Sequence, residues 1–385
     1  MPSLLSLCPR PPDWNFAWDR LVERFAWLQR LDGCPQNPRY HAEGDVLVHT
    51  RLVVEALVDS VGWRQLAPDL REELFAAAVL HDVGKPDCTH IDDDGTIRSR
   101  GHAQRGEIIA RQVLYRQGVE PERRERVCAL VRHHMVPLYL RDSPRPSRQA
   151  ATVSWSVRCD LLALLGRADA LGRISDDADD LADRHRVFEA VCDDLGCVDR
   201  PYPFASPLHR FWFFRHPAER LEASPPALGA SRVTFVVGLP GSGRRAWAQR
   251  CGVLDGPLLD LDALGGRYGV GEEDTSGVVV AEARQRARDL LRQGESFTWL
   301  ETGLQRAPRS HLLDVFAEAR AYVRLVHVER PYRELLDASS RADSAATELE
   351  RLMDQWQVPD ATEAHRVDRV LGPALSDGEG NLPAR

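Results

Sequence analysis

The spacing of apolar residues changes once along this chain, and that change limits the fold more than any other feature. As far as Arg215 apolar residues recur at helical intervals. The segments "FAWDRLVERFAWLQRL", "HTRLVVEALVDSV", "REELFAAAVLHDVG", "QRGEIIARQVLYRQG", "PERRERVCALVRHHM" and "RCDLLALLGRADALGR" each present an apolar face. Turns rich in Gly, Pro and Asp separate them. After "RHPAERLEASPPALGAS", a polar and prolyl stretch, the apolar runs become short and β-branched: "RVTFVVG", "SFTWLET" and "YVRLVHVE", with the helical "VVVAEARQRARDLLRQG" between them. Strands alternating with helices imply a parallel, helix-covered sheet. The reading is an all-α helical bundle over 14–215, a linker over 216–230, an α/β domain with a parallel sheet over 231–372 and a disordered tail over 373–385. A chain of 385 residues is long enough for two such cores.

Within the helical half, histidines and aspartates fall at the ends or on the faces of successive segments: His49, His81 with Asp82, His102, the pair His133 and His134, and Asp169. Neutral imidazoles and carboxylates hold hard or borderline divalent ions such as Mn, Ni, Co, Fe, Zn or Mg. A bundle can aim them at one place. The adjacent His81 and Asp82 give one neutral and one charged ligand, and an aspartate can bridge two ions. Asp45, one turn before His49, either orients that imidazole or caps its helix. Lys85, the only lysine in the chain, follows the glycine turn after Asp82. It either contacts phosphate oxygens or ends a helix at the surface.

The order of "HAEGDVLVHT", "LHDVGKP", "RGHAQRG", "VRHHM" and "RADALGR" resembles the HD-domain metal-dependent phosphohydrolases, and in particular the HD modules of bacterial tRNA nucleotidyltransferases. The resemblance covers residues 14–215. It implies His49, His81, Asp82 and Asp169 as core metal ligands, with His102 and His134 added where two ions are bound; His134 rather than His133 takes the family position. It also implies hydrolytic chemistry, in which bound metal arms water and neutralises a phosphoryl oxygen, with Asp82 and Lys85 at the reacting centre.

The second half opens on "VTFVVGLPGSGRRAWA", the strand, glycine turn and helix start of a phosphate-binding loop. Gly238, Gly241, Ser242 and Gly243 suit a tight turn whose backbone N–H groups face an anion. Arg244 stands where that motif has lysine, and Arg245 where it has Ser or Thr. Arginine bias across the chain accounts for the first change but not for the second, and a cation at the hydroxyl position repels Mg²⁺. The region from Ser231 to Val367 resembles the kinase domain of polynucleotide kinase and its bacterial relatives. That resemblance implies Asp262 as the base for a 5′-hydroxyl, Arg341 as a lid arginine, and ATP or GTP at the loop. The fusion resembles the bacterial HD–polynucleotide kinase proteins of RNA end repair.

The expected function is a metal-dependent phosphohydrolase of 2′,3′-cyclic or 2′-phosphate nucleic-acid ends, or of nucleotides, with a kinase-like domain impaired in transfer. Two alternatives stand beside it: a fully bifunctional end-healing enzyme, and a nucleotide- or RNA-binding protein whose HD metal is structural. The resemblance implies RNA or nucleotide phosphates as substrate and an RNA ligase or other repair protein as partner. A net charge of −8 excludes wholesale nucleic-acid coating but is compatible with a local basic groove. No apolar run approaches the roughly 20 residues of a membrane span. The start "MPSLLSLCPRPPDW" does not read as a signal peptide. Eight cysteines without a Cys-x-x-Cys pair read as reduced thiols of a cytoplasmic protein.

Overall fold

A computed structural model of the chain describes residues 3–218, 220–252, 256–267, 277–339 and 343–372. Arg341 and the tail from residue 373 lie outside the described residues. The described residues form two units. One comprises the chain up to Ser224 together with Met353–Thr362; the other runs from Pro225 to Leu352 and resumes at Glu363.

The first unit is helical. Its main elements are α1 (Val46–Asp59), α2 (Pro68–Leu80), α3 (His102–Arg116), α4 (Pro121–His133), α5 (Cys159–Leu171) and α6 (Ala178–Asp194). Every residue of α2 from Glu73 to Leu80 is buried. A helix apolar on all sides belongs in the middle of a bundle, and α2 packs against α1, α4 and α5. The buried Glu73 carboxylate is met by Arg126, whose Nη2 and Nε donate at 2.7 and 2.8 Å. The central helix therefore ends in the middle of the unit, and His81 and Asp82 are the next two residues. The first apolar segment differs from its reading. It forms helices at Trp18–Arg24 and Ala26–Gln29, broken at Phe25, whose extended backbone turns the ring inward against Trp27.

The second unit carries a parallel sheet of β1 (Arg232–Val237), β2 (Leu258–Asp260), β3 (Phe297–Leu300), β4 (Tyr322–Glu329) and β5 (Arg366–Leu371), ordered β2-β3-β1-β4-β5. β1 is buried along five of its six residues, as expected for a central parallel strand. The glycine-rich loop follows it at the carboxyl edge of the sheet, where α/β folds bind ligands. β2 and β5 are not among the apolar runs of the sequence. β2 has three residues. β5, "RVDRVL", is an edge strand whose charges are used across the sheet, Arg324 Nε donating to Asp368 at 2.6 Å.

Residues 353–362, read from the sequence as part of the second domain, pack with the helical unit. Trp356 is 1% exposed. Its carbonyl accepts from Arg111 Nη1 at 3.0 Å, its ring meets Tyr115 edge-on at 4.9 Å, and Arg124 lies over it at 5.1 Å. Asp354 accepts from Gln112 at 2.8 Å. Both sides of this contact are in the same unit, so Trp356→Ala should destabilise the helical unit by about 3–5 kcal/mol. Urea unfolding of the full chain followed by helical circular dichroism measures it; a loss below about 1 kcal/mol would make the contact superficial.

Candidate metal centre

All six histidine and aspartate positions singled out by the resemblance meet at helix ends in the first unit. His49 lies in the first turn of α1, and His81 and Asp82 follow α2. His102 begins α3, His134 follows α4, and Asp169 is in the last turn of α5. Asp82 stands at the centre. Its Oδ2 is 3.2 Å from His81 Nε2 and 3.7 Å from His49 Nε2; its Oδ1 is 3.4 Å from His102 Nε2 and 3.8 Å from His134 Nε2. Asp169 Oδ1 lies 3.1 Å from His49 Nε2. Two three-residue groups, His49/His81/Asp82 and Asp82/His102/His134, thus share one carboxylate. His133 is in neither group; it is half-buried and lines the adjoining cleft.

The glycine turn makes this convergence sterically feasible. A Cβ on Gly84 would lie 2.2 Å from the His102 carbonyl and 2.5 Å from Gly106 N. Only glycine lets the start of α3 come close enough to bring His102 beside Asp82.

Hydrogen bonds on the far side of three of the rings fix their tautomers. Nδ1 of His81, His102 and His134 lies 2.8, 2.8 and 2.7 Å from the carbonyls of Ala78, Ser99 and Val131. His49 Nδ1 is 2.9 Å from Glu43 Oε1. A carbonyl only accepts, so Nδ1 of His81, His102 and His134 carries the proton and their Nε2 presents a lone pair, whereas His49 faces a carboxylate at both nitrogens, Glu43 at Nδ1 and Asp169 at Nε2. Yet His49 and His81 Nε2 stand 3.4 Å apart, and His102 and His134 Nε2 3.2 Å apart. Asp82 Oδ1 is buried without a hydrogen-bond partner. Imidazole nitrogens and a bare carboxylate oxygen turned toward one another make a donor set that can hold cations. The donor set fits one or two divalent ions of the kind that take nitrogen and oxygen ligands.

Glu43 is not singled out by the sequence. Its Oε1 faces both His41 Nδ1, at 2.8 Å, and His49, while Oε2 accepts from Ile174 N at 2.9 Å. Asp45 is a cap: Oδ1 accepts from Val48 N at 2.9 Å and Oδ2 from Gly33 N at 2.7 Å. The orienting role falls to the carboxylate two residues earlier. Glu43→Gln should weaken divalent-metal affinity by about 10–100-fold, read by equilibrium dialysis; unchanged affinity would show that His49 is oriented without it.

Charge in the centre is strongly coupled. Burial pushes Asp82 up, but Lys85 and then His81 hold it well below the ordinary carboxylate range. Burial likewise opposes Asp169, and Arg173 overrides it. Lys85 Nζ sits 2.6 Å from Asp82 Oδ2 and donates to Gln36 at 2.6 Å. Burial pushes His134 down to about 3 and lowers His102. Burial acts the same way on His49, but its hydrogen bonds to Asp169 and Glu43 raise it. An unfolded histidine protonates near pH 6.5, whereas folded His134 stays neutral to about 3. Stability of the metal-free chain should therefore fall as pH drops through that window, by on the order of a few kcal/mol from His134. His49 works in the opposite sense, losing its contribution as pH rises through its raised pKa. Thermal melts of the metal-free chain should show His134→Gln flattening the acid-side fall; parallel wild-type and variant profiles would remove His134 from this account.

A cleft of about 1580 Å³ opens on the centre, lined by eight arginines and Lys85 against four aspartates, Asp82, Asp169, Asp177 and Asp180. Tyr40 and Tyr139, 41% and 55% exposed, are on its wall. This basic groove exists within a chain of net charge −8.

In the second unit Gly241 and Gly243 take left-handed φ of +79° and +85°, as a phosphate loop requires. A Cβ on Gly238 would lie 2.3 Å from the Val328 carbonyl. Ser242 Oγ is buried without a hydrogen-bond partner. The two arginines are engaged by carboxylates. Arg244 Nη2 lies 2.5 Å from Asp262 Oδ2, and its Nη1 donates to the Leu239 carbonyl at 3.1 Å. Arg245 grips Asp260 with Nε at 2.7 Å and Nη2 at 3.2 Å. Asp260, not Asp262, caps the helix at Leu261–Arg267, accepting from Ala263 N at 3.1 Å. Burial raises the Asp262 pKa against the pull of Arg244.

Residues 49–182 match the HD domain family and residues 233–357 the AAA domain family. A multifunctional CCA protein of Acidovorax sp. strain JS42 is 30% identical over 181 residues, covering 46% of this chain and 35% of that protein. A CC-adding tRNA nucleotidyltransferase of Thermus thermophilus is 44% identical over 71 residues, 18% of this chain and 16% of that one. The chain spans about a third of the length of the first of these relatives. A putative kinase from Chloroflexus aurantiacus aligns in structure with 37% of this chain and 86% of its own, at 15% identity and a TM-score of 0.30, a likeness too low to carry an argument.

Proposed function

We infer, for a chain that joins an HD domain to a P-loop kinase-like domain, that it hydrolyses 2′,3′-cyclic and 2′-phosphates at RNA ends, and that its loop does not transfer phosphate. The observation that carries this reading is the convergence of four imidazole Nε2 atoms and two carboxylates on one buried place, with Asp82 Oδ1 left unpartnered. Ions held by His49, His81, Asp82, Asp169, His102 and His134 would supply a Lewis acid for a phosphoryl oxygen and lower the pKa of water.

The chain's own residues do the rest. Asp82 divides its two oxygens between the histidine pairs and keeps them in register. Lys85, the cation nearest Asp82 at the cleft floor, takes a phosphate oxygen. Arg39, Arg100, Arg132 and Arg148 on the wall attract the phosphates of a polynucleotide, and Tyr40 and Tyr139 offer faces on which bases stack. Cations and exposed aromatics in one groove favour an oligonucleotide end over a free mononucleotide. The healed end is then a substrate for an RNA ligase. ATP or GTP at the loop has to displace the Asp260–Arg245 pair before it can bind, and the same loop lacks the lysine and hydroxyl that transfer uses.

The test is release of phosphate from oligoribonucleotides ending in 2′-phosphate or 2′,3′-cyclic phosphate, with Mn, Co or Ni supplied. Metal-dependent release, lost in His81→Ala, is expected. No release with any of the three metals, or release that survives His81→Ala, would sink the reading.

A further inference from the structure

Three cysteines lie together in the helical unit, away from the histidine centre. The Sγ atoms of Cys159, Cys192 and Cys197 all fall within 4.8 Å of one another. None is more than 1% exposed, and all three are free thiols. Two separate backbone devices bring them together. Cys192 and Cys197 are set by the end of α6, where Cys197 N donates to the Cys192 carbonyl at 2.9 Å, Gly196 N to the Asp193 carbonyl at 2.9 Å, and Gly196 takes a φ of +61°. That paired pattern is a Schellman stop, which places the side chains of its first and last residues in contact. Cys159 comes from elsewhere, the first residue of α5, and Asp160 N donates to the Val198 carbonyl at 2.9 Å to hold that start against the stop.

A Schellman contact explains two small apolar side chains but not the third sulfur. Three sulfurs each about 2.3 Å from a common ion in their plane stand about 4 Å apart, within the spread observed. No histidine or carboxylate joins the group among the described residues. An all-sulfur donor set selects soft ions and rejects Mg²⁺ and Mn²⁺.

We propose that Cys159, Cys192 and Cys197 form a trithiolate site for one soft, thiophilic cation, distinct from the histidine–aspartate centre. Binding there would release the thiol protons and tie the start of α5 to the end of α6. Since α5 ends at the turn that carries Asp169, the ion would brace the helix that presents that carboxylate.

The full chain, reduced and stripped of metal, should be titrated with Cd²⁺ and followed by ultraviolet absorption. Sulfur-to-cadmium charge transfer gives a band that imidazole and carboxylate ligands do not. The expected result is a band that saturates with one bound ion, disappears in Cys159→Ser and in Cys197→Ser, and persists in His81→Ala. No band in the reduced wild-type chain overturns the proposal, as does a band that both serine variants retain. X-ray absorption of the cadmium-loaded wild type needs no variant. Sulfur neighbours are expected, and a shell of nitrogen and oxygen alone overturns the site. A disulfide among the three thiols with no metal uptake would also overturn it.

Discussion

On the proposed function, replacing Asp82 with asparagine should lower hydrolysis of a 2′,3′-cyclic phosphate end by at least about 100-fold, more than the 10–100-fold that loss of a partner behind a ligand costs. Asparagine keeps the volume and one oxygen. It removes the charge, and its NH2 group offers no lone pair to an ion beside one of the two histidine pairs. Asp82 lies within 3.8 Å of all four Nε2 atoms, so the loss strikes both halves of the centre at once. The same change leaves the Lys85 ammonium facing an amide in a buried setting, so a melt of the metal-free variant should accompany the rate. Turnover within about threefold of wild type, with metal content unchanged, would mean that the reaction does not depend on this centre.

Restoring the motif residues of the loop should switch on the reaction that we infer the wild-type loop has lost. In Arg244→Lys/Arg245→Ser the planar forks that grip Asp262 and Asp260 are gone. A lysine can reach outward to phosphates, a hydroxyl is available for Mg²⁺, and Asp262 is released from its tightest partner. Transfer of γ-phosphate from ATP to a 5′-hydroxyl oligonucleotide should then rise by at least about 100-fold, the scale of one well-placed electrostatic group in a transition state. The glycine turn is already in the required conformation, so no backbone rebuilding is called for. A wild-type chain that already transfers phosphate, at a rate the double variant does not raise, would favour the bifunctional alternative over the impaired one.

Legibility differed by kind of feature. Helices with a clean apolar stripe, such as α1 and α3, are readable because 3.6-residue periodicity is local. The buried α2 is readable by its unbroken apolar run. β5 is not, because an edge strand with Arg and Asp on its faces has no local mark that separates it from a polar helix. The packing of 353–362 on α3 and α4 is equally hidden, since Trp356 is one aromatic among many until its pocket is known.

Residue chemistry and spacing along the chain determined that this protein has a helical half followed by a parallel α/β half, that six potential ligands stand near helix ends, and that a phosphate loop has arginines at two decisive positions. Tertiary structure alone decided that Glu43 and not Asp45 stands behind His49, that Asp82 is shared, that Asp260 and Asp262 occupy the loop arginines, and that three distant thiols meet. The physical reason is that a side chain's type is carried by the residue, whereas its partner is chosen by where two backbones cross. Asp45 and Glu43 offer the same carboxylate two residues apart, and only the turn between them determines that Asp45 spends both oxygens on backbone N–H groups while Glu43 keeps one for the histidines.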